Sequence, residues 1–212
     1  NRGLLRLVLR DFYNGFVEYK YRWDSKDFPG KYQKTTIPSS SKSELKGRLL
    51  IWAEQGLGDE IFYAGLLPML STKDVSIALS ADKRLHSIYK RSFPKIDLLD
   101  KKILMNSSID SGFDAQAPIG DLGFLLDIDT AAIKVTRSPY LMSDHVRRDS
   151  YRRTISAFGS GLVCGVAWKS VNQKFGSAKS INLNSFEPLL GLSGVHFVNL
   201  QYGDVKEEIQ HV

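Results

Sequence analysis

The chain has 212 residues with 42% hydrophobic and 25% charged side chains, enough for one or two domains with a real core and too ordinary for wholesale disorder. Lys and Arg number 29 against 23 Asp and Glu, a net charge of +6 that suits an anionic ligand without demanding one. One cysteine, Cys164, rules out an internal disulfide and fits a reducing, cytoplasmic compartment; no apolar run reaches membrane-span length and no signal peptide is visible.

In chain order, Leu4, Leu5, Leu7, Val8 and Leu9 predict an apolar helical patch, and Phe12, Phe16 and Tyr19 predict a second helix over about 11–22. This segment, 1–23, reads either as the end of a repeat array or as a plain N-terminal helix pair packed on the domain. Residues 24–46 hold Pro29, Gly30, Pro38 and a serine run, and read as a surface connection. A first domain then spans 47–142. It opens with the apolar strand Leu49-Leu50-Ile51-Trp52-Ala53. The turn Glu54-Gln55-Gly56-Leu57-Gly58 follows, then a helix from Asp59 with Ile61, Phe62, Gly65, Leu66 and Met69 on or near one face. Glycine is needed where a chain turns sharply, takes positive φ or lets a ligand approach bare backbone. Further strands are predicted at 75–79, 96–99 and 113–119, with a basic helix at 81–91 between the first two. The alternation argues a parallel sheet covered on both faces.

Ser138-Pro139-Tyr140-Leu141 reads as an extended crossing. The segment 143–212 then begins with a helix to about Phe158, in which Arg147, Arg148, Arg152 and Arg153 form a solvated basic face or, less plainly, a nucleic-acid surface. No aromatic and basic interleaving supports an RNA motif, so nucleic acid is not an expected partner. Leu162 to Trp168 is a nearly all-apolar strand, expected to be central and buried. A polar loop over 171–180, a short helix near Phe186 and a strand at 195–200 follow. Two strands cannot close a core, so a truncated second domain with exposed apolar surface at 162–168 and 195–200 is expected. The four histidines show no metal-ligand spacing.

The glycine turn is not a dinucleotide fingerprint, since Ile61 stands where the third glycine would be and the strand ending in Ser80-Ala81 lacks a terminal acidic residue. It is not a P-loop, lacking Gly-Lys-Ser/Thr. Glu-Gln-Gly-Leu-Gly-Asp at 54–59 instead resembles the C-terminal glycosyltransferase-like domain of bacterial tetratricopeptide-repeat proteins. That domain is similar to heptosyltransferases and, distantly, to protein O-GlcNAc transferases. Gly15 to Trp23 resembles the family's Gly-x-x-x-Tyr-Glu-x-Arg-Trp segment. Gly165-Val166-Ala167-Trp168 with Lys179-Ser180 resembles its Gly-Leu-x-Trp and Arg-Ser pair, and Val198 to Gly203 its Ser-Leu-Gln-x-Gly strand end.

The resemblance implies an α/β fold of GT-B type, a Rossmann-like acceptor-side domain plus the start of a donor-side unit, preceded by helices. It also implies sugar transfer from a nucleotide-sugar donor to a carbohydrate or protein hydroxyl. The alternative is a non-catalytic scaffold, with protein partners reached through a preceding repeat array. The nucleotide-sugar is substrate, and no cofactor or metal is required. The resemblance assigns Asp59 as general base; the plainer reading is a helix cap. Glu54, Gln55, Gly56 and Gly58 lie on the acceptor side, where the polar pair would orient an acceptor or simply bond the turn. Lys169, Lys174, Lys179 and Ser180 would meet the donor diphosphate, or be a solvated loop. Gln201 would touch the donor or close a turn.

Overall fold

The computed structural model describes residues 2–28, 30, 32–33, 35–42, 45–70, 73–102, 112–131, 139–170 and 176–212. Pro29, Ser138 and Lys174 lie outside them. The chain divides into two compact units, 1–144 and 145–212.

The first unit is built on four parallel strands: β1 (Gly47–Trp52), β2 (Val75–Ala81), β3 (Asp97–Asp100) and β4 (Ala115–Pro118), in the order β3-β2-β1-β4. β1 is flanked by β2 with Leu50 opposite Ala78, and by β4 with Ile51 opposite Ala117. A strand paired on both edges and covered on both faces must be apolar at every position, and Leu49 to Trp52 are all buried. Alternate residues part to two faces. Leu49 and Ile51 join Ile77, Leu79 and Ala81 in the main core, whereas Leu50 and Ala78 pack with Ile37 on the other side.

The main core lies under α3 (Leu57–Ala64), α4 (Leu67–Leu70), α5 (His86–Ser92) and α6 (Leu122–Leu125), together with α2 (Phe12–Tyr19). α1 (Arg2–Val8) pairs with α2, and Lys20–Asp24 continues α2 as a 3₁₀ turn. The ring of Phe16 fills the space where a side chain on Gly123 would stand, 2.3 Å from the nearest ring atom, so α2 seats closely on α6.

Three local readings change. The helix expected to run on from Asp59 begins at Leu57 and breaks after Ala64. Pro68 has no N–H for the next turn and its ring would strike the Ala64 carbonyl. Gly65 also leaves room for the Tyr140 ring, whose hydroxyl donates to the Ile61 carbonyl at 2.8 Å. The buried face of α3 is Glu60, Tyr63 and Ala64; Phe62, read as inward, is 68% exposed while Glu60 is 2% exposed.

The segment read as a surface connection also enters the sheet. Ser40 N–H donates to the Gln116 carbonyl and Gln116 N–H to the Pro38 carbonyl, both at 2.8 Å, so this stretch runs beside β4. Trp23 and Tyr32 pack against Trp52 on the same side. Among the described residues, the second face of the sheet is covered by this irregular chain and by the apolar contacts of Ile37, Leu99 and Phe113.

The second unit holds α7 (His145–Ser156), β5 (Leu162–Val166) and β6 (Val195–Asn199). β5 and β6 are parallel, with Cys164 opposite Phe197. Trp168, Leu183 and Val205 form a small core with Val166, Phe186 and Leu190 against it. β5 is not the buried central strand its composition predicted. Among the described residues it pairs on one edge only, and Leu162 and Leu200 stand 67% and 65% exposed. No residue of α7 is buried. No helix of the described residues is long and apolar enough to cross a membrane.

Candidate functional site

In an open parallel sheet the carboxyl ends of the strands form the mouth where ligands bind. In the first unit that mouth is the β1–α3 turn, and the five acceptor-side candidates all fall there. The turn bounds a cleft of about 940 Å³ whose far wall is α1, α2 and the 3₁₀ turn after α2. Gln55 and Asp59 line it, beside Phe62 and Tyr63. Asp59 is exposed, in the first turn of α3, and accepts no capping bond at the helix start; the N-cap position is Gly56.

The two glycines of the turn do not serve the conformations that most often require glycine. Gly56 has φ −77° and Gly58 is not among the positive-φ glycines. A Cβ on Gly58 would meet nothing within 4 Å, and one on Gly56 only the Asp59 carboxylate at 3.6 Å. What remains is open space over bare backbone at the start of a helix, where N–H groups lack helical partners. By contrast Gly47 does need its freedom: its φ is +72° and the Asp114 carboxylate occupies the Cβ position.

Glu54 leaves the list of ligand contacts. It is buried, and both its oxygens accept from Arg22, Nε to Oε1 at 2.7 Å and Nη2 to Oε2 at 2.6 Å. Arg22 Nη1 also donates to Asp121 at 2.6 Å and to the Tyr19 carbonyl at 3.1 Å. Burial opposes the Arg22 charge, but the bonds to Glu54 and Asp121 outweigh it and hold the guanidinium above its ordinary value. Burial pushes Glu54 and Asp121 up against the pull of the same guanidinium. Gln55 continues the network, its Nε2 donating to Tyr19 Oη at 2.9 Å and to Glu54 Oε1 at 3.3 Å.

Arg22, Tyr19, Asp121 and Glu60 carry no role in the sequence reading. Arg22 and Tyr19 were visible only inside the segment 15–23, with nothing to say what they face. Glu60 sits under the turn, where its oxygens accept from Asp82 N–H at 3.2 and 3.4 Å, and burial pushes its carboxyl up. Asp82 corrects a further reading. β2 runs to Ala81, so an acidic residue does follow it. That carboxylate is held by Arg84, through its backbone N–H and guanidinium, and sits well below its ordinary value. The dinucleotide pattern still fails at Ile61.

In the second unit the described donor-side candidates gather at the C-terminal end of β5. Lys169, Lys179 and Ser180 line a hollow of about 450 Å³ with Trp168 and Ile181. Gln201 braces it from behind: its Oε1 accepts from Trp168 N–H at 3.0 Å and Lys169 N–H at 2.9 Å. Ser180 Oγ accepts from Ser170 N–H at 2.9 Å and donates to the Gly176 carbonyl at 2.6 Å. Lys169 is paired with Glu208, whose other oxygen accepts from Trp168 Nε1 at 2.8 Å. Among the described residues no group of His, Cys, Asp and Glu is placed to hold a metal ion.

The class so defined is an α/β protein with a Rossmann-like parallel sheet, an open cleft at its mouth and a second, smaller parallel unit. No family model and no solved structure matches the chain. The chain is similar to Protein FlbA of Caulobacter vibrioides, 34% identical over 185 residues, which is 80% of this chain and 31% of that protein. It therefore spans less than a third of the length of this curated relative.

Proposed function

We propose that the chain carries the acceptor-side domain, and part of the donor-side domain, of a glycosyltransferase of GT-B type. Sugar passes from a nucleotide-sugar to a carbohydrate or protein hydroxyl. The observation that carries the reading is the placing of Asp59 and Gln55 together on one wall of an open cleft at the mouth of a parallel sheet. The Asp59 carboxylate takes the proton of the attacking hydroxyl. That oxygen bonds the anomeric carbon as the bond to the diphosphate breaks. In the second unit Lys169, Lys179 and Ser180, once released by their present partners, are the groups that would hold a diphosphate; no metal is needed for this. The single cysteine fits a cytoplasmic setting, and partners would come through a preceding repeat array.

A second reading, a scaffold that kept the fold without turnover, is favoured by one specific observation. Several donor-side groups are already engaged: Lys169 on Glu208, the Ser180 hydroxyl on the Gly176 carbonyl and the Gln201 carbonyl on two backbone N–H groups.

The deciding experiment combines calorimetry with nucleotide-sugars and a transfer assay on the full-length protein, wild type and Asp59→Asn. The expected result is donor binding by both and transfer by wild type alone, a loss of roughly 10²–10⁴-fold. Full transfer by Asp59→Asn removes Asp59 as base. Absence of any donor binding favours the scaffold.

A further inference from the structure

At the end of β5 two hydrogen-bond donors close on a single carboxylate of the same unit. Trp168 Nε1 donates to Glu208 Oε2 at 2.8 Å, and Lys169 Nζ donates to Glu208 Oε1. Consecutive side chains of an extended chain point to opposite sides, yet these two converge. Their backbone is braced for it. Gln201 Oε1 accepts from both N–H groups, at 3.0 Å from Trp168 and 2.9 Å from Lys169. The indole itself is fixed, since Trp168 is buried with Leu183 and Val205. The bonds from Lys169 and then Trp168 hold the Glu208 carboxyl below its ordinary range.

A carboxylate gripped by two donors marks where an anion fits, because two oxygens of a phosphate present nearly the same edge. Beside Lys169 lies the hollow of about 450 Å³, whose described lining carries Lys169 and Lys179 and no acidic residue. Glu208 reaches Lys169 from the short helix Lys206–Gln210, of which no residue is buried; Val205, just before it, is the anchor in the core. The Glu208 side chain can therefore turn out to solvent while Val205 stays packed. Its hold on Lys169 is weak, as the two side chains are 39% and 33% exposed. Satisfying the indole N–H takes one acceptor oxygen, and a neutral amide would serve. The charge of Glu208 matters only to Lys169 and to whatever anion comes to it.

We infer that Glu208 is a built-in counter-ion that competes with ligand anions for Trp168 Nε1 and Lys169 Nζ, so that a phosphate group binds at these two donors by displacing it. The inference rests on the donor-side reading of this hollow and adds its regulation. While Glu208 occupies the donors the site is closed, and the apparent affinity for an anion falls by the fraction of time it stands open. Once displaced, the carboxylate still repels the anion as a like charge nearby.

The test is isothermal titration of inorganic pyrophosphate into the full-length protein, wild type and Glu208→Gln. Glutamine keeps an acceptor for the indole and removes the charge. Uridine diphosphate is the second probe, because the same diphosphate can arrive free or carried on a nucleoside. Glu208→Gln should bind at least one probe about three- to tenfold tighter than wild type, and the larger gain identifies the source. In a Lys169→Met background the gain should vanish, whether binding there is weakened or lost, since the two side chains act on each other. With ¹⁵N-tryptophan labelling, the indole signal that Glu208→Gln shifts is that of Trp168, and the bound probe should move it in the wild type. Should Glu208→Gln not fold, Glu208→Asp carries the comparison, its carboxylate a methylene short of the two donors.

Unchanged affinity for both probes in Glu208→Gln overturns the inference. So does an equal gain in the Lys169→Met background, so does a Trp168 indole signal that neither probe moves, and so does the absence of binding by wild type and variant alike. The transfer assay is read separately. A gain in Glu208→Gln without transfer by the wild type leaves the counter-ion standing and removes the glycosyltransferase reading. Transfer combined with unchanged affinity in Glu208→Gln removes the counter-ion alone.

Discussion

Arg22 and Glu54, 32 residues apart, are joined by two parallel bonds in the interior of the first unit. The planar fork of a guanidinium matches the two oxygens of a carboxylate, which makes this geometry specific to arginine. The pair ties the segment after α2 to the end of β1, and Asp121 extends the tie to the residues after β4. Gly120 is part of the fit, since a Cβ there would stand 2.6 Å from Glu54 Oε1.

Arg22→Met should cost about 3–5 kcal/mol, because it leaves the buried Glu54 and the partly buried Asp121 carboxylate without their cation. Urea unfolding followed by tryptophan fluorescence measures it. Arg22→Met combined with Glu54→Leu should recover part of that loss, as removing both partners abandons no buried charge on β1. A single variant as stable as wild type would show that the pair adds nothing to the fold.

Gly58→Ala separates stability from ligand binding. The position is helical, φ is not positive, and a Cβ meets nothing within 4 Å. Alanine should therefore stabilise the protein by about 0.4–1 kcal/mol. If the bare backbone is kept for a ligand, the same variant should bind it more weakly. Unfolding and titration on one preparation read both effects. A variant more stable and equally competent would mean that the open backbone at Gly58 is not used.

Glu60 gives a pH signature. Burial raises its carboxyl above the ordinary 4.5, so the folded state holds the proton more tightly than the unfolded chain. By linkage the contribution of this group to stability falls as pH rises from 4.5 through the folded-state value. Glu60→Gln keeps an acceptor for Asp82 N–H and removes the titration. Its melting temperature should match wild type near pH 4 and exceed it at pH 7. A variant that loses stability at pH 7 would show that the Glu60 charge is favoured by its surroundings, the Asp82 N–H and the charge of Lys101 among them.

Gln201→Ala tests the second unit. It strips the common acceptor from Trp168 N–H and Lys169 N–H, and a buried donor left unmade costs about 1–3 kcal/mol. Destabilisation of that size, seen by amide exchange at 166–169, identifies Gln201 as a brace of the β5 end. Wild-type stability with lost nucleotide-sugar binding would instead make it a direct donor contact.

Much of this architecture could be read from the chain. A run of five apolar residues, a glycine turn and helical spacing are local patterns, and local patterns predict strand, turn and helix. The alternation of such units predicts a parallel sheet, because parallel neighbours need a crossover between them. Gln55 and Asp59 were placed at the mouth for the same reason: strand direction alone decides which end of β1 the turn occupies. What the chain could not reveal was which polar side chain would meet which. Glu54 stayed open between an acceptor contact and a bond within the turn because its partner, Arg22, lies beyond an irregular segment whose path no periodicity describes. Phe62, expected on or near the apolar face, is exposed, and Glu60 is buried instead, because hydrophobic spacing cannot register the Asp82 N–H that its carboxylate meets. β5 has the composition of a central strand, yet its burial depends on neighbours that composition does not count. Local sequence determined the elements and their order; the pairing of charges and the faces turned inward were decided only when distant segments were brought within bonding distance.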